Sequence, residues 1–233
     1  MAVQALLFDV FGTLVDWRSS IAAQARPRLD ACGANRVDAH TFADHWRGRY
    51  QPAMERIRSG GRGYVALDDL HRENLDETLA HFGVDAPADK RDEWARDWER
   101  LDPWPDVVPG LGALRERGLL VAPCSNGSIA LMVRLARHGG LPWDCVLGAD
   151  IARDYKPKPQ VYLACCAALR LAPEDVMMVA CHNDDLAGAR DCGLATGFFP
   201  RPTEHEPGQN IDLAPAADWD VVAADLTDLA GRL

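Results

Sequence analysis

Apolar positions follow two rhythms along this chain. Ala5-Leu6-Leu7-Phe8 is a short unbroken apolar run ending on Asp9, the pattern of a strand covered on both faces rather than one. Leu119 to Cys124 and Val176 to Ala180 repeat it, and Cys145-Val146-Leu147, Thr196-Gly197-Phe198-Phe199 and Asp220-Val221-Val222 are shorter versions. Between these runs the apolar spacing lengthens to three and four residues. Ser128 opens a helix carrying Leu131, Leu135 and His138, stopped by Gly139-Gly140; Pro159 to Leu171 and the segment running through Arg190 are further helices. Strands alternating with helices predict an α/β fold, a doubly wound parallel sheet of Rossmann-like type.

The rhythm changes from Val15 to about residue 100. Phe42, Trp46, Ala53 and Ile57 form one helical stripe. Leu75, Leu79 and Phe82 form another, with Asp68-Asp69 at its start and Gly83 at its stop, and Trp94, Trp98 and Leu101 a third. Ser59 to Gly63 is a flexible joint. A helical unit inserted after the first strand would sit over the ligand-binding edge of the sheet and exclude water there. The expected division is a core of residues 1–15 and 101–233 and a helical cap of residues 16–100. Pro200 to Asp218, polar and proline-containing, predicts a long surface loop.

Charge narrows the partners. A formal net charge of -10 counts against nucleic acid or an anionic membrane, both of which demand a basic face. A small anionic substrate stays open, because a few cations can dominate one cleft. No apolar run approaches the roughly 20 residues that span a bilayer, and the chain enters its first strand with no basic leader before it. Seven cysteines, an odd number with Cys165-Cys166 vicinal and no Cys-x-x-Cys, read as free thiols of a reducing, cytoplasmic compartment without structural zinc.

Three predicted strands end in polar residues: Asp9 to Thr13, Ser125-Asn126, and His182 to Asp185. A fourth polar segment, Asp154 to Pro159, precedes a helix. Each has a plain structural explanation. Ser125-Asn126-Gly127 makes a good turn, Asn183 or Asp184 can cap a helix, and Lys156 and Lys158 can be surface lysines. A parallel sheet, however, gathers the carboxyl ends of its strands on one edge, where ligands bind, so the four segments are expected to converge.

Phe8-Asp9-Val10-Phe11-Gly12-Thr13-Leu14, Leu120 to Asn126, Lys156-Pro157, and Val179 to Ala189 together resemble the four motifs of the haloacid dehalogenase superfamily. The type II (S)-2-haloacid dehalogenase branch is the nearest pattern, and the resemblance spans the whole chain. It implies a hydrolase acting on carbon–halide bonds. Superfamily phosphatases carry a second aspartate two residues after the nucleophile, where this chain has Phe11. They also hold Mg²⁺ through acidic residues of the fourth motif, where counting back four from Asp185 reaches Cys181. A thiol suits hard Mg²⁺ poorly. Halide, by contrast, leaves without protonation. The chain is therefore read as a hydrolytic dehalogenase of short 2-haloalkanoic acids with no metal and no cofactor. Two other readings are carried: a Mg²⁺-dependent phosphatase acting on a small phosphate ester, and a non-catalytic scaffold of the same fold.

The implied chemistry is nucleophilic. Asp9 displaces halide at C2, giving an aspartyl ester that water hydrolyses to an inverted 2-hydroxyacid. Lys156 is the counter-charge that keeps Asp9 ionised. The resemblance further implies that Thr13 orients Asp9 and that Ser125, with the backbone amides of Val10 and Phe11, holds the substrate carboxylate. It gives Asn126 a supporting place, and Arg47, in a Trp46-Arg47 context, the halide; the alternative for Arg47 is a solvated cation on an amphipathic helix. Asp185 is the acidic group near Lys156 and the hydrolytic water. His182 stands where the family pattern has asparagine, either as the group that positions or deprotonates that water or as a neutral spacer. Tyr162 packs beside the site. Trp17 and Trp104, at the junctions of core and cap, are expected either to line an apolar wall of the pocket or to serve interdomain packing. Cys181 is expected to be a buried small residue. The expected partners are the anionic substrate and halide, and the resemblance implies a homodimer.

Overall fold

The computed structural model describes residues 3–233. Strand β1 (Ala5–Phe8) comes first, followed by β2 (Val15–Asp16), which pairs antiparallel with β3 (Asp102–Pro103). Regular structure between these two short strands is helical: α1 (Trp17–Ala31), α2 (Ala39–Gly48), α3 (Tyr50–Arg58), α4 (Leu67–His81), α5 (Ala88–Ala95) and a 3₁₀ turn over Arg96–Glu99. After β3 the chain alternates through α6 (Val107–Glu116), β4 (Leu120–Ser125), α7 (Ile129–Gly139), β5 (Leu147–Gly148), α8 (Ala149–Ala152) and α9 (Pro159–Leu169). It finishes with β6 (Val176–Ala180), α10 (Asn183–Asp191), β7 (Ala195–Phe198), β8 (Val221–Val222) and α11 (Leu226–Arg232).

The main sheet has six strands in the order β5-β4-β1-β6-β7-β8, and every neighbouring pair is parallel. The expected doubly wound fold is met. Strand β1 is central, and its four residues are all fully buried. Successive side chains of a strand point to opposite faces, and here they enter two separate cores. Leu6, Phe8, Met177 and Val179 join one; Ala5, Leu7, Met178 and Ala180 join the other. The first core continues without a break into the helical insertion through Trp17, Phe42, Trp46 and Trp98. Each large side chain buried in this way contributes about 1.5–3 kcal/mol, so the insertion is held to the sheet by the same apolar mass that holds the sheet together.

Local chemistry explains where the observed elements depart from the expected ones. The stripe from Phe42 to Ile57 is two helices meeting at Arg49. Pro52 has no N–H to give the preceding turn, and its ring crowds the carbonyl one turn back. The strand expected at Cys145 starts only at Leu147, because the Asp144 carboxylate takes the Val121 N–H. Ser128 caps α7 by accepting the Leu131 N–H, and Gly140 ends it with φ +66°, as the sequence predicted.

The segment from Pro200 to Asp218 corrects an expectation. It is irregular, but not merely a surface loop. Arg201 donates twice to Asp106, at 2.8 and 2.9 Å, and once to the Thr13 carbonyl. Glu204 is only 1% exposed. Connections longer than about 12–15 residues inside a compact fold are usually functional, and this one is pinned into the ligand edge of the sheet.

Candidate active site

Parallel pairing brings the strand ends together as expected. Asp9 follows β1, Asn126 follows β4, and Asp185 lies in the first turn of α10 after β6. Lys156 reaches the same point from the segment between α8 and α9. Its Nζ donates to Asp9 Oδ1 at 2.9 Å and to Asp185 Oδ2 at 2.5 Å. The Tyr162 hydroxyl holds the other Asp185 oxygen at 2.6 Å. Asn126 accepts the Lys156 backbone N–H at 2.8 Å and so fixes the segment that carries the ammonium. On the far side of Asp9, Oδ2 accepts from the Thr13 hydroxyl at 2.7 Å and lies 3.0 Å from His182 Nδ1. The other ring nitrogen of His182 lies 2.9 Å from Glu204 Oε2.

These contacts set the charges. Burial penalises the Asp9 carboxylate, yet Lys156 and the His182 hydrogen bond outweigh it and hold the pKa well below the usual carboxylate range. Asp185 moves the other way, raised by burial and by repulsion from Asp9 against the pull of Lys156. Burial also opposes charge on Lys156, but Asp185 and Asp9 together hold its proton firmly. His182 is pushed well above its ordinary value despite burial, by the Cys181 sulfur, Glu204 and Asp9 around it. Burial pushes Glu204 up, but the imidazolium more than compensates and brings it down to about 2. The resting site is thus an ionised Asp9 carboxylate between two cations, each of which has a second carboxylate of its own.

Above Asp9 is a cleft of about 960 Å³, with Phe11, Arg47, Tyr50, Lys156, His182 and Glu204 among its walls. Arg58, Gln51 and Ile211 line it as well, and Arg58 also donates to the Lys156 carbonyl at 2.7 Å. Arg47 comes from α2 in the helical insertion. Its guanidinium carbon lies 4.0 Å from the Tyr50 ring centre, 5.4 Å from Trp17 and 5.7 Å from Phe11, and ring faces of this kind attract cations. Nη1 of Arg47 is buried and bonds to nothing in the described residues.

Other sequence-predicted residues lie behind the walls. Thr13 is fully buried, and its hydroxyl bonds with Asp9 and Cys181. Ser125 is also fully buried, its Oγ accepting the Gly127 N–H at 3.0 Å. Tyr162 serves Asp185 from below. The side chain of Val10 is in the core, while the backbone N–H groups of Val10 and Phe11 bond to no described residue. Trp17 and Trp104 do not line the cleft: Trp17 donates to Glu204 Oε1 at 3.1 Å, and Trp104 donates to the Gly12 carbonyl at 2.8 Å. Both indoles brace the loop around Asp9 rather than forming a substrate wall. Cys181 is buried, its thiol pushed up to about 11 by burial. Among the described residues, Cys181, His182 and Glu204 place one ligand-type atom each within 4.8 Å of one another. That sulfur–nitrogen–oxygen set suits a softer metal than Mg²⁺, and its atoms are already engaged with Thr13, Asp9 and Trp17.

Glu204 escaped the sequence reading. It follows no strand, and its partner lies 22 positions away in an element of another kind. The signal available was the unusual length of the connection that carries it. Gly12 shows how closely this residue fits. Its φ of +89° favours glycine, and a Cβ there would come within 2.0 Å of Glu204 Oε1.

Fold and site together define a class, α/β proteins that gather carboxylates and cations at the carboxyl edge of a parallel sheet. The chain belongs to the haloacid dehalogenase-like hydrolase family, whose model matches residues 3–193. It is 30% identical over 196 residues to (S)-2-haloacid dehalogenase 1 of Pseudomonas sp. (strain CBS-3), covering 83% of each chain. With the (S)-2-haloacid dehalogenase of Pseudomonas sp. (strain YL) it shares 29% identity over 95% of this chain and 91% of the relative. A crystal structure of a defluorinating L-2-haloacid dehalogenase superposes with a TM-score of 0.96 at 49% identity, covering 99% of this chain and 95% of the other. That of a second L-2-haloacid dehalogenase does so at 0.95 and 45%, covering 99% and 98%.

Proposed function

We propose that this protein is a hydrolytic (S)-2-haloacid dehalogenase acting on short 2-haloalkanoic acids through an Asp9 ester, without a metal. One observation carries the reading. The ionised Asp9 carboxylate and the unpartnered Arg47 guanidinium face one cleft, with an aromatic ring at position 11 where a phosphatase of this fold would hold an acid. The relatives named as 2-haloacid dehalogenases support the substrate class.

Asp9 Oδ1 accepts a single hydrogen bond, from Lys156, while Oδ2 accepts from Thr13 and His182. Oδ1 therefore has the freer lone pair and is the attacking atom. It forms the bond to C2 as the carbon–halogen pair leaves with the halide toward Arg47, inverting the carbon. The free N–H groups of Val10 and Phe11 take the substrate carboxylate, with Ser125 shaping the turn beside them. Esterification removes the negative charge of Asp9. His182 then loses one of the anions that held its proton and releases that proton to solvent; the neutral ring, kept in place by Glu204, can accept a proton from water attacking the Asp9 carbonyl carbon. The imidazolium returns that proton to Oδ1 as the Cγ–Oδ1 bond breaks, releasing the 2-hydroxyacid, and the second water proton passes from the new carboxyl to His182, restoring the resting pair. Residues 16–100 act as a cap over a core of 1–15 and 101–233, and the chain functions as a cytoplasmic homodimer, which light scattering would check.

Halide release from 2-chloropropionate, and phosphate release from an aryl phosphate, each with Mg²⁺ or chelator, form the test. Halide release that survives chelator and falls at least about 10⁴-fold in Asp9→Asn is expected, consistent with loss of the nucleophile. Activity confined to the phosphate ester with Mg²⁺ would sink the reading, and silence in both assays would favour a scaffold.

A further inference from the structure

Burying a polar atom without a partner costs free energy, so orphaned polar atoms gathered in one place need an explanation. Four lie together in the helical insertion: Nη1 of Arg47, Nε1 of Trp98, and both ring nitrogens of His71. His71 belongs to α4 and is 2% exposed. Its carbonyl accepts the Trp46 indole N–H at 3.0 Å, which fixes its place on the helix. Its ring centre lies 6.2 Å from both Phe11 and Tyr50, two walls of the cleft, and 4.2 Å from Trp98. Arg47 packs over the same Phe11 and Tyr50 rings.

We propose that His71 is a second halide ligand, its ring N–H joining the Arg47 guanidinium to receive the halide that Asp9 displaces. The inference rests on the dehalogenase reading above and assigns a residue to its leaving-group side. The surroundings fit a monatomic anion better than a carboxylate. Phe11 meets Tyr50 at 74° and Trp98 at 88°, and His71 meets Trp98 at 75°, so edge-to-face contacts hold the rings around His71 in fixed orientations. A carboxylate would call for paired donors in one plane. Burial and the neighbouring Arg47 charge hold the His71 pKa well below its ordinary value, so the ring stays neutral and always carries one N–H. A single cation with one neutral donor stabilises the departing halide without the grip that two cations would keep on the product.

The test uses inorganic halide as its probe. Chloride and bromide, at ionic strength held constant with sulfate, should inhibit the wild-type enzyme and perturb the fluorescence of the Trp46–Trp98 cluster. His71→Phe should weaken both effects about tenfold, as expected for one hydrogen bond to an anion. His71→Gln, which keeps an N–H, should recover most of the loss. His71→Met serves if the phenylalanine variant does not fold. Halide inhibition unchanged in the folded variants, or absent in the wild type, would overturn the assignment. Loss of inhibition in Arg47→Met but in no His71 variant would overturn it while leaving the dehalogenase reading intact. A wild-type enzyme that releases no halide from 2-chloropropionate would instead bring down that reading.

Discussion

The floor of the cleft and its roof are wired differently. On the floor, Asp9, Lys156, Asp185 and His182 are tied to one another or to Thr13, Tyr162 and Glu204, and each has its charge fixed before substrate arrives. On the roof side, Arg47 in the cleft wall and His71 and Trp98 packed behind Phe11 have buried polar atoms with no partner among the described residues. The difference follows the reaction. A nucleophile must be ready in the resting state, so its electrostatic partners are built in. The halide charge exists only after the carbon–halogen bond breaks, and its partners must be left vacant for it.

This contrast breaks most sharply at Lys156. Removing it in Lys156→Met leaves two carboxylates buried side by side, and breaking such a pair costs about 3–5 kcal/mol of stability. With Asp9 no longer held ionised, turnover should fall by about three orders of magnitude or more. Urea unfolding and halide release measure the two losses, and a folded, active Lys156→Met enzyme would refute the wiring of the floor.

His182→Asn separates the two chemical steps. Ester formation should survive, while its hydrolysis slows by about 10²–10⁴-fold, the usual worth of a positioned base. Intact-protein mass spectrometry after a short reaction should then show Asp9 carrying the carboxyalkyl ester. Unchanged hydrolysis with an unchanged pH profile would return His182 to the role of spacer.

Glu204→Gln gives the smallest and most diagnostic effect. Glu204 has its pKa depressed to about 2 by His182, so its contribution to stability is present above its ordinary pKa of 4.5 and is lost as pH falls toward 2. Wild type should therefore exceed Glu204→Gln in stability above pH 4.5, and the gap should close in acid. A gap constant with pH would mean that the carboxylate charge contributes nothing. Turnover should drop about tenfold and its acid limb move down in pH, because His182 loses the anion that raises it.

How far these features could be read beforehand depended on how local their causes were. Strand ends were legible because a buried apolar run, a polar terminus and the parallel-sheet rule together place Asp9, Asn126 and Asp185 on one edge. Arg47 was legible only by resemblance, since nothing in the spacing of Phe42 and Trp46 says which polar neighbour faces the cleft. Trp17 and Trp104 were expected at the junction of core and cap, where sequence could not say which way they point; packing turned their indoles toward Glu204 and the Gly12 carbonyl. Glu204 and His71 were not legible at all. Each owes its role to a cavity made by distant segments, and no period of 2 or 3.6 encodes that.

The fit of Glu204 against Gly12 also bears on when the molecule becomes an enzyme. Residues around Asp9 precede their partners by a long stretch of chain: the Cys181 amide is 168 residues from Thr13, and Glu204 is 187 residues from Trp17. Contacts of such long range form late, because the loops they close must be ordered first. A growing chain therefore carries Asp9 for 173 residues before His182 is made, and longer before Glu204; the two flank it in the fold. Only when the segment from Cys181 to Glu204 has folded back does the Asp9 carboxylate acquire the surroundings described above.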